Sequence, residues 1–170
     1  VRRGGMAALT ARSLAAELGS SAKPVFGLFE NMQEVQDEVV RAANAEYQSF
    51  LRAEMMRGAY PPYKASGIAY IAFARQEKEL FKLLFMRDRT EEDSETEDES
   101  IDGIIALISR NTGLSNEDAR LFHLEMWIFV HGIATMIVTG YLDWEEEYVS
   151  RTLTDVYEGL KARWCGGNGK

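Results

Sequence analysis

Residues 9–29 combine two short helical patterns with a tight glycine turn between them, and a long helical pattern follows at once. Thr10 can cap a first helix whose inward positions include Leu14 and Leu18. Gly19 supplies the left-handed backbone conformation that ends such a helix. This order of elements predicts a helix-turn-helix, a unit that binds DNA by placing its second helix in the major groove.

The second short helix is predicted from its capping and turn residues. Ser20 or Ser21 can cap it, and Pro24 lies in its first turn, where the missing N–H costs little. Its exposed side then includes Lys23, a cation that could approach phosphate. The buried stripe is predicted to consist of Val25, Phe26 and Phe29.

Helical spacing continues through the rest of the chain. Asn31 with Glu34 forms a variant capping box, and helix-forming sequence then runs to about Arg57. No strand-like alternation competes anywhere, so the sequence predicts an all-α fold. Ile101 to Ile108 have the spacing of one helix face, and Gly113 is expected to end that helix. Ser115 with Asp118 is expected to start a helix that runs to about Tyr141. Asp143 with Glu146 can cap the last helix.

The last two long helices carry more apolar residues than a single stripe can hold. The helix from about Asn116 to Tyr141 is apolar on most of its sides and must therefore be buried on most of its sides. We therefore expect a homodimer in which these helices form an intermolecular four-helix bundle, the alternative being that they pack within one subunit.

Two ordered patterns resemble the tetracycline-repressor (TetR) family of regulators. Leu14-Ala15-x-x-Leu18-Gly19 followed by Val25-Phe26-x-x-Phe29 is similar to the DNA-binding domain of that family. The segment from Pro62 to Phe85 resembles the start of one class of its ligand-binding domain. Trp127-x3-His131-Gly132 matches the Trp-x3-His-Gly signature of the same class.

The resemblance implies a domain division and a function. Residues 1–45 would be the helix-turn-helix head, residues 46–165 the helical effector-binding and dimerisation domain, and residues 166–170 a flexible tail. The implied function is a cytoplasmic, ligand-responsive repressor that binds double-stranded operator DNA as a homodimer and is released by a small apolar or aromatic effector. The alternative is a small-molecule-binding or interaction module of the same fold with weak or lost DNA binding.

The resemblance also implies which residues face DNA, and Lys23 is the strongest candidate for a phosphate or base contact. Thr10 and Ser21 could instead serve only as helix caps. Gly27 occupies a position where a large polar side chain is common in the family, so one potential contact is lost. The expected DNA-binding residues are Thr10, Arg12, Ser21, Ala22, Lys23, Phe26 and Gly27.

The expected effector-binding residues are mostly aromatic, which suits an apolar ligand, although core packing would explain each of them equally well. His123, Trp127 and His131 share one helix face. No Cys, Asp or Glu lies on that face, so neither a metal site nor another cofactor is predicted. The complete set is Tyr70, Phe73, Phe81, Phe85, Phe122, His123, Met126, Trp127 and His131.

Charge is distributed unevenly along a chain whose formal net charge is -8. From residue 1 to 41, five basic residues balance five acidic ones, so the expected head is neutral. Residues 88–100 contain eight acidic residues and one arginine, a net of -7. Because like charges at this density repel, that segment is predicted to be a solvated or disordered loop.

Several function classes are disfavoured. Cys165 is the single cysteine, which excludes an internal disulfide framework and favours a reducing compartment. No apolar run reaches the ~18 residues of a membrane span. The string from Ser20 to Lys23 lacks the companion motifs of a penicillin-recognising hydrolase, so no enzyme is expected. The family places a helix before Gly4-Gly5, and we expect either an upstream native start or a loosened head.

Overall fold

The computed structural model describes residues 1–88 and 95–166, with backbone alone for residues 95–100. These residues form seven α-helices and no strand, which confirms the all-α prediction. Two 3-10 turns, Met6–Ala8 and Val25–Gly27, lie in the head. The helices are α1 (Ala11–Leu18), α2 (Met32–Met56), α3 (Pro62–Gln76), α4 (Lys78–Phe85), α5 (Glu95–Thr112), α6 (Asn116–Val138) and α7 (Glu146–Gly166).

Helix α1 has the predicted ends. The Ser13 N–H donates to the Thr10 hydroxyl at 3.1 Å, and the Thr10 N–H donates to the Ser13 hydroxyl at 2.9 Å, which completes a capping box. Gly19 ends the helix with φ 62°. Leu18 does not take the predicted inward position, because it is 52% exposed, and no residue before Val35 is buried.

The predicted second helix of the head is wrong. The chain makes only the 3-10 turn Val25–Gly27, and Ser20 donates its hydroxyl proton to the Ser21 carbonyl instead of capping a helix. Phe26 is exposed rather than part of a buried stripe. Pro24 and Gly27 weaken a helix of this length, and a short helix needs packing that this segment does not obtain.

Helix α2 connects the head to the rest of the chain, so the boundary expected at residue 45 falls inside it. As predicted, the Asn31 side chain accepts a hydrogen bond from the Glu34 N–H at 3.0 Å. The Glu34 carboxylate accepts from the Glu30 N–H at 2.7 Å. Farther along α2, Tyr47 and Phe50 pack against the main core.

The main core is built around α3. Pro62 starts this helix, and small buried residues such as Ala69 and Ala74 let neighbouring helices approach closely. Apolar side chains of α4, α6 and α7 pack on it. A second cluster joins α5 to α6 and consists of Ile105, Ile108, Ala119, Phe122 and Met126.

Later helix boundaries follow the sequence in part. Gly113 closes α5 with φ 77°, and Ser115 caps α6 by accepting from the Asp118 N–H at 3.1 Å, both as predicted. Helix α6 ends at Val138 rather than Tyr141, since Gly140 adopts φ 71°. Within the predicted acidic loop, residues 95–100 are helical, because they continue the Ile-rich α5; residues 89–94 lie outside the described residues.

The predicted cap of the last helix is also wrong. Helix α7 begins at Glu146, three residues after Asp143. The Asp143 carboxylate lies 3.1 Å from Nη2 of Arg75 on α3. The Asp143 carboxylate therefore pairs with α3 across the fold and lies outside the helix that it was expected to cap.

Helix α6 is long and apolar enough to cross a membrane by length and composition alone, with a mean hydropathy of 1.6. Core helices of globular proteins meet the same criterion, and 39% of the relevant window is buried inside this chain. The absence of a membrane partner stays a prediction.

Candidate functional site

The expected DNA-binding residues lie on the outside of the head. Thr10 caps α1, and Ala22 is half-buried. Arg12 and Lys23 are exposed and form no ion pair with another described residue. These two cations are thus available to phosphate. The other expected DNA-binding residues, Ser21, Phe26 and Gly27, are exposed too.

The remaining cations of the head are paired with carboxylates, which the sequence did not predict. Arg3 pairs with Glu17 of α1. Arg2 pairs with Glu46 of α2, and its Nε lies 2.9 Å from Glu77 where α3 meets α4. Arg2 therefore connects the start of the chain to two core helices.

An open cleft of about 430 Å³ lies between the first residues and α1. Apolar side chains of Leu9 and Leu14 form part of its wall, together with Arg2, Arg3 and Glu17. A smaller cavity of about 100 Å³ lies near the end of α2. Neither of these two cavities is lined by the aromatic side chains that were expected to bind an effector.

Those aromatic side chains form a packed cluster at the meeting point of α2, α3 and α4. The Tyr70 ring centroid lies 5.2 Å from that of Phe81 and 4.9 Å from that of Phe85. Phe73 and Phe81 are fully buried. Tyr47 lies 5.2 Å from Phe73 and 5.1 Å from Phe85. We define the aromatic cluster as Tyr47, Phe50, Tyr70, Phe73, Phe81 and Phe85.

Sequence reasoning missed the α2 members of this cluster, Tyr47 and Phe50. The sequence does contain a pattern that indicates them, since two aromatic residues three positions apart share one face of a helix. The expected residues Phe122 and Met126 belong elsewhere, to the cluster between α5 and α6. The structure therefore divides the expected effector-binding residues between two separate places.

Two tyrosine–histidine hydrogen bonds join α3 to α6. The Tyr63 hydroxyl lies 3.0 Å from Nδ1 of His123, and the Tyr70 hydroxyl lies 2.9 Å from Nδ1 of His131. The partners are seven residues apart on α3 and eight apart on α6. Two side-by-side helices that run in the same direction give this matched spacing.

These four side chains are uncharged at neutral pH. Burial raises the pKa of Tyr63 and Tyr70 above the usual phenol range, chiefly by desolvation. Desolvation lowers the pKa of His123 and His131. Burial also raises the pKa of Tyr47 to about 12. The polar groups inside this apolar region are therefore hydrogen-bonding groups rather than ions.

His131 lies at the border between the aromatic cluster and the surface. Its ring stacks on Trp127, with centroids 4.9 Å apart and planes 14° apart. On the other side it approaches Phe81 at 5.9 Å. Trp127 itself is 41% exposed. No group of described residues with the spacing of a metal site occurs here or elsewhere.

A row of large apolar side chains lies exposed on α6. Leu124 is 50% exposed and Ile128 is 59% exposed, one helical turn apart. Such exposure is unusual for residues of this size on a long apolar helix. We call this row, which consists of Leu121, Leu124, Trp127 and Ile128, the outer ridge.

Comparison with known proteins assigns the larger part of the chain. Residues 63–157 match the family model described as tetracyclin repressor-like, C-terminal domain. The match extends from α3 to α7 and contains both tyrosine–histidine pairs and the outer ridge. No curated protein matches the sequence at a significant level.

Proposed function

The chain belongs to the tetracycline-repressor family of regulators, and from this premise we propose that it is a ligand-responsive transcriptional repressor which binds operator DNA as a homodimer. The observation that carries the proposal is the family match over residues 63–157, preceded by a head with a capped first helix. The head is positioned by α2, which continues directly into the core.

The DNA-binding part of the proposal rests on the exposed groups of the head. Arg12 and Lys23 are exposed cations without an ion-pair partner among the described residues. Cations of this kind neutralise phosphate and release counterions, whereas base edges are read by groups inside the groove. Two heads related by a two-fold axis would engage half-sites about one DNA turn apart, ~34 Å.

The effector-binding part of the proposal rests on the aromatic cluster and on His131, which lies beside it. An apolar effector would enter among α3, α4 and α6, where the side chains are aromatic and the polar groups are uncharged. Helix α2 packs against the same cluster through Tyr47 and Phe50. A ligand that shifts α4 would therefore also shift α2 and change the spacing of the two heads.

The test is DNA binding as a function of salt. We expect the full chain to bind double-stranded DNA from the region upstream of its own coding sequence, with affinity that falls steeply between about 50 and 200 mM salt. Lys23→Ala should weaken binding and reduce the salt slope by about one. The matched control Lys78→Ala, on the exposed side of α4, should leave both unchanged. Equal slopes for both variants would contradict the proposed phosphate contact.

A second function is favoured by one specific observation. The 3-10 turn Val25–Gly27 stands where a full helix was predicted, and the five cations of the first 41 residues are matched in number by five carboxylates. A module that keeps effector binding and dimerisation but has lost DNA affinity would have this head. It would bind an effector while showing no salt-dependent affinity for upstream DNA.

A further inference from the structure

The guanidinium of Arg2 contacts two parts of the core at once. Its Nη2 pairs with Glu46 of α2, and its Nε lies 2.9 Å from Oε2 of Glu77. These partners are 44 and 75 positions away from Arg2 in the sequence. Because the guanidinium is planar and rigid, it can hold both carboxylates only while α2 and Glu77 keep their present relative position. The contact therefore depends on the arrangement of the core helices.

Glu77 is the only residue between α3 and α4. Its φ of -122° and ψ of 55° are not helical. Its N–H donates to the Phe73 carbonyl, and its own carbonyl accepts from the Phe81 N–H, each at 2.8 Å. A rotation of α4 relative to α3 would be absorbed by the backbone angles of such a linking residue. Arg2 thus binds the residue about which α4 would rotate.

Other contacts hold the same part of the head against the core. We call residues 1–6 the N-terminal segment. Val1 and Met6 are half-buried and pack against the main core. The backbone of Gly5 lies so close to α4 that a Cβ at this position would be 2.9 Å from Oε2 of Glu79. The N-terminal segment is therefore docked on the core by apolar contacts and close backbone approach as well as by the ion pairs.

The N-terminal segment is connected in turn to α1. Arg3 pairs with Glu17 of α1. The Ser13 hydroxyl of α1 donates to the Ala8 carbonyl at 2.7 Å, two residues after the segment ends. The head therefore has two connections to the core, one through the continuous helix α2 and one through Arg2.

We propose that Arg2 couples the orientation of the head to the position of α4, holding the head against the core until α4 rotates at Glu77. The regulatory consequence rests on the effector response proposed above, because an effector that displaces α4 would separate Glu77 from Glu46 and break the double contact. The N-terminal segment and α1 would then be released together. Arg2 is a positioning residue in this role, since it contacts neither DNA nor effector.

The test is amide hydrogen exchange of the full chain, measured by mass spectrometry without DNA or effector. In Arg2→Gln we expect exchange to become about threefold faster in residues 4–18 and also in residues 73–85, the factor expected for loss of exposed ion pairs. The matched control Arg3→Gln removes the same charge from the pair with Glu17, and should speed exchange only in residues 4–18. If Arg2→Gln left residues 73–85 unchanged, the coupling would be overturned.

A double variant tests whether Arg2 and Glu77 act through one contact. Glu77→Gln should also speed exchange in residues 4–18, and Arg2→Gln/Glu77→Gln should exchange there no faster than Arg2→Gln, because the contact is already lost. Additive effects of the two substitutions would overturn the direct contact.

Salt tests the ionic nature of the contact. In 1 M salt, where charges are screened over about 3 Å, the difference between Arg2→Gln and the parent chain should disappear. A difference of the same size in 1 M salt would overturn an ionic coupling.

DNA binding, measured separately, distinguishes this inference from the proposed function. Salt-dependent DNA binding with exchange changes confined to the head would overturn the coupling alone. Linked exchange changes in residues 4–18 and 73–85 without any DNA binding would support the coupling and overturn the repressor.

Discussion

His123 and His131 are half-buried bases that fold in their neutral form. Unfolding returns each imidazole to water, where its ordinary pKa is about 6.5. Because the folded-state pKa of both is lowered, the unfolded chain binds more protons than the folded chain once the pH falls below that value. Their contribution to stability is therefore complete above pH 6.5 and is lost as the pH falls toward the folded-state pKa.

We predict a loss of stability between pH 7.5 and pH 5.5 that depends on these two side chains. His123→Gln keeps a hydrogen-bonding partner for Tyr63 but removes the titration, so its free energy of unfolding should change less over this range. Urea denaturation at both pH values measures the difference. Gln48→Ala, a substitution on α2, serves as control and should lose as much stability as the parent chain. The same loss in His123→Gln would contradict the assignment.

At the scale of single elements, the segment that follows α1 contains only a 3-10 turn and no buried residue. A methyl group added at Gly27 would meet no other atom within 4 Å, and Gly27 does not have a positive φ. Alanine there would favour helix over coil by about 1 kcal/mol. Gly19 also has open space around it, but its φ of 62° disfavours any side chain.

We predict opposite effects of alanine at these two glycines. Gly27→Ala should slow amide hydrogen exchange in residues 22–29 and tighten DNA binding. The reason is that a helix in this segment would already be formed in the free protein, so that less conformational entropy would be lost on binding. Gly19→Ala should speed exchange at the end of α1 by a factor that corresponds to about 1–2 kcal/mol. Exchange measured by mass spectrometry with peptide resolution checks both. Faster exchange around Gly27 in Gly27→Ala would show that the turn is the preferred conformation.

Local signals in the sequence predicted those elements whose ends are fixed by their own residues. Thr10, Gly19, Asn31 and Ser115 each act through a hydrogen bond or a dihedral angle within four residues, so their roles could be read directly. Asp143 failed as a cap because Arg75, 68 positions earlier, competes for its carboxylate. The pairing of tyrosines with histidines likewise depends on how α3 and α6 pack, which no local pattern encodes.

At the scale of the whole molecule, contacts between rings join the surface of α6 to the helix that carries the head. Trp127 stacks on His131, His131 approaches Phe81, and Phe81 packs on Phe85 at 5.0 Å. Phe85 contacts Tyr47 of α2. Close-packed interiors transmit displacement because they contain little free volume. A displacement of the outer ridge or of His131 can therefore be transmitted to α2 through direct contacts between aromatic rings.

The outer ridge is where we expect a second copy of the chain to pack. Leu124 and Ile128 expose about half of their surface or more, and burying a side chain of this size contributes about 1.5 to 3 kcal/mol. Two copies related by a two-fold axis would bury the outer ridge of each against the other. Each apolar side chain of the ridge would therefore contribute to the stability of the dimer twice, once from each copy. A charge on the ridge would be buried unpaired in such an interface.

Ile128→Glu should therefore convert a dimer into a monomer, as measured by sedimentation velocity at micromolar concentration. Met56→Glu introduces the same charge at an 86% exposed apolar residue at the end of α2, and this control should remain dimeric. DNA affinity should fall with the dimer, because one head holds only one half-site and loses the gain from simultaneous binding. If Ile128→Glu remained dimeric, the interface would lie elsewhere. If Ile128→Glu became monomeric but bound DNA as tightly as Met56→Glu, the two heads would not bind DNA together. The two-fold geometry proposed for the operator would then be wrong.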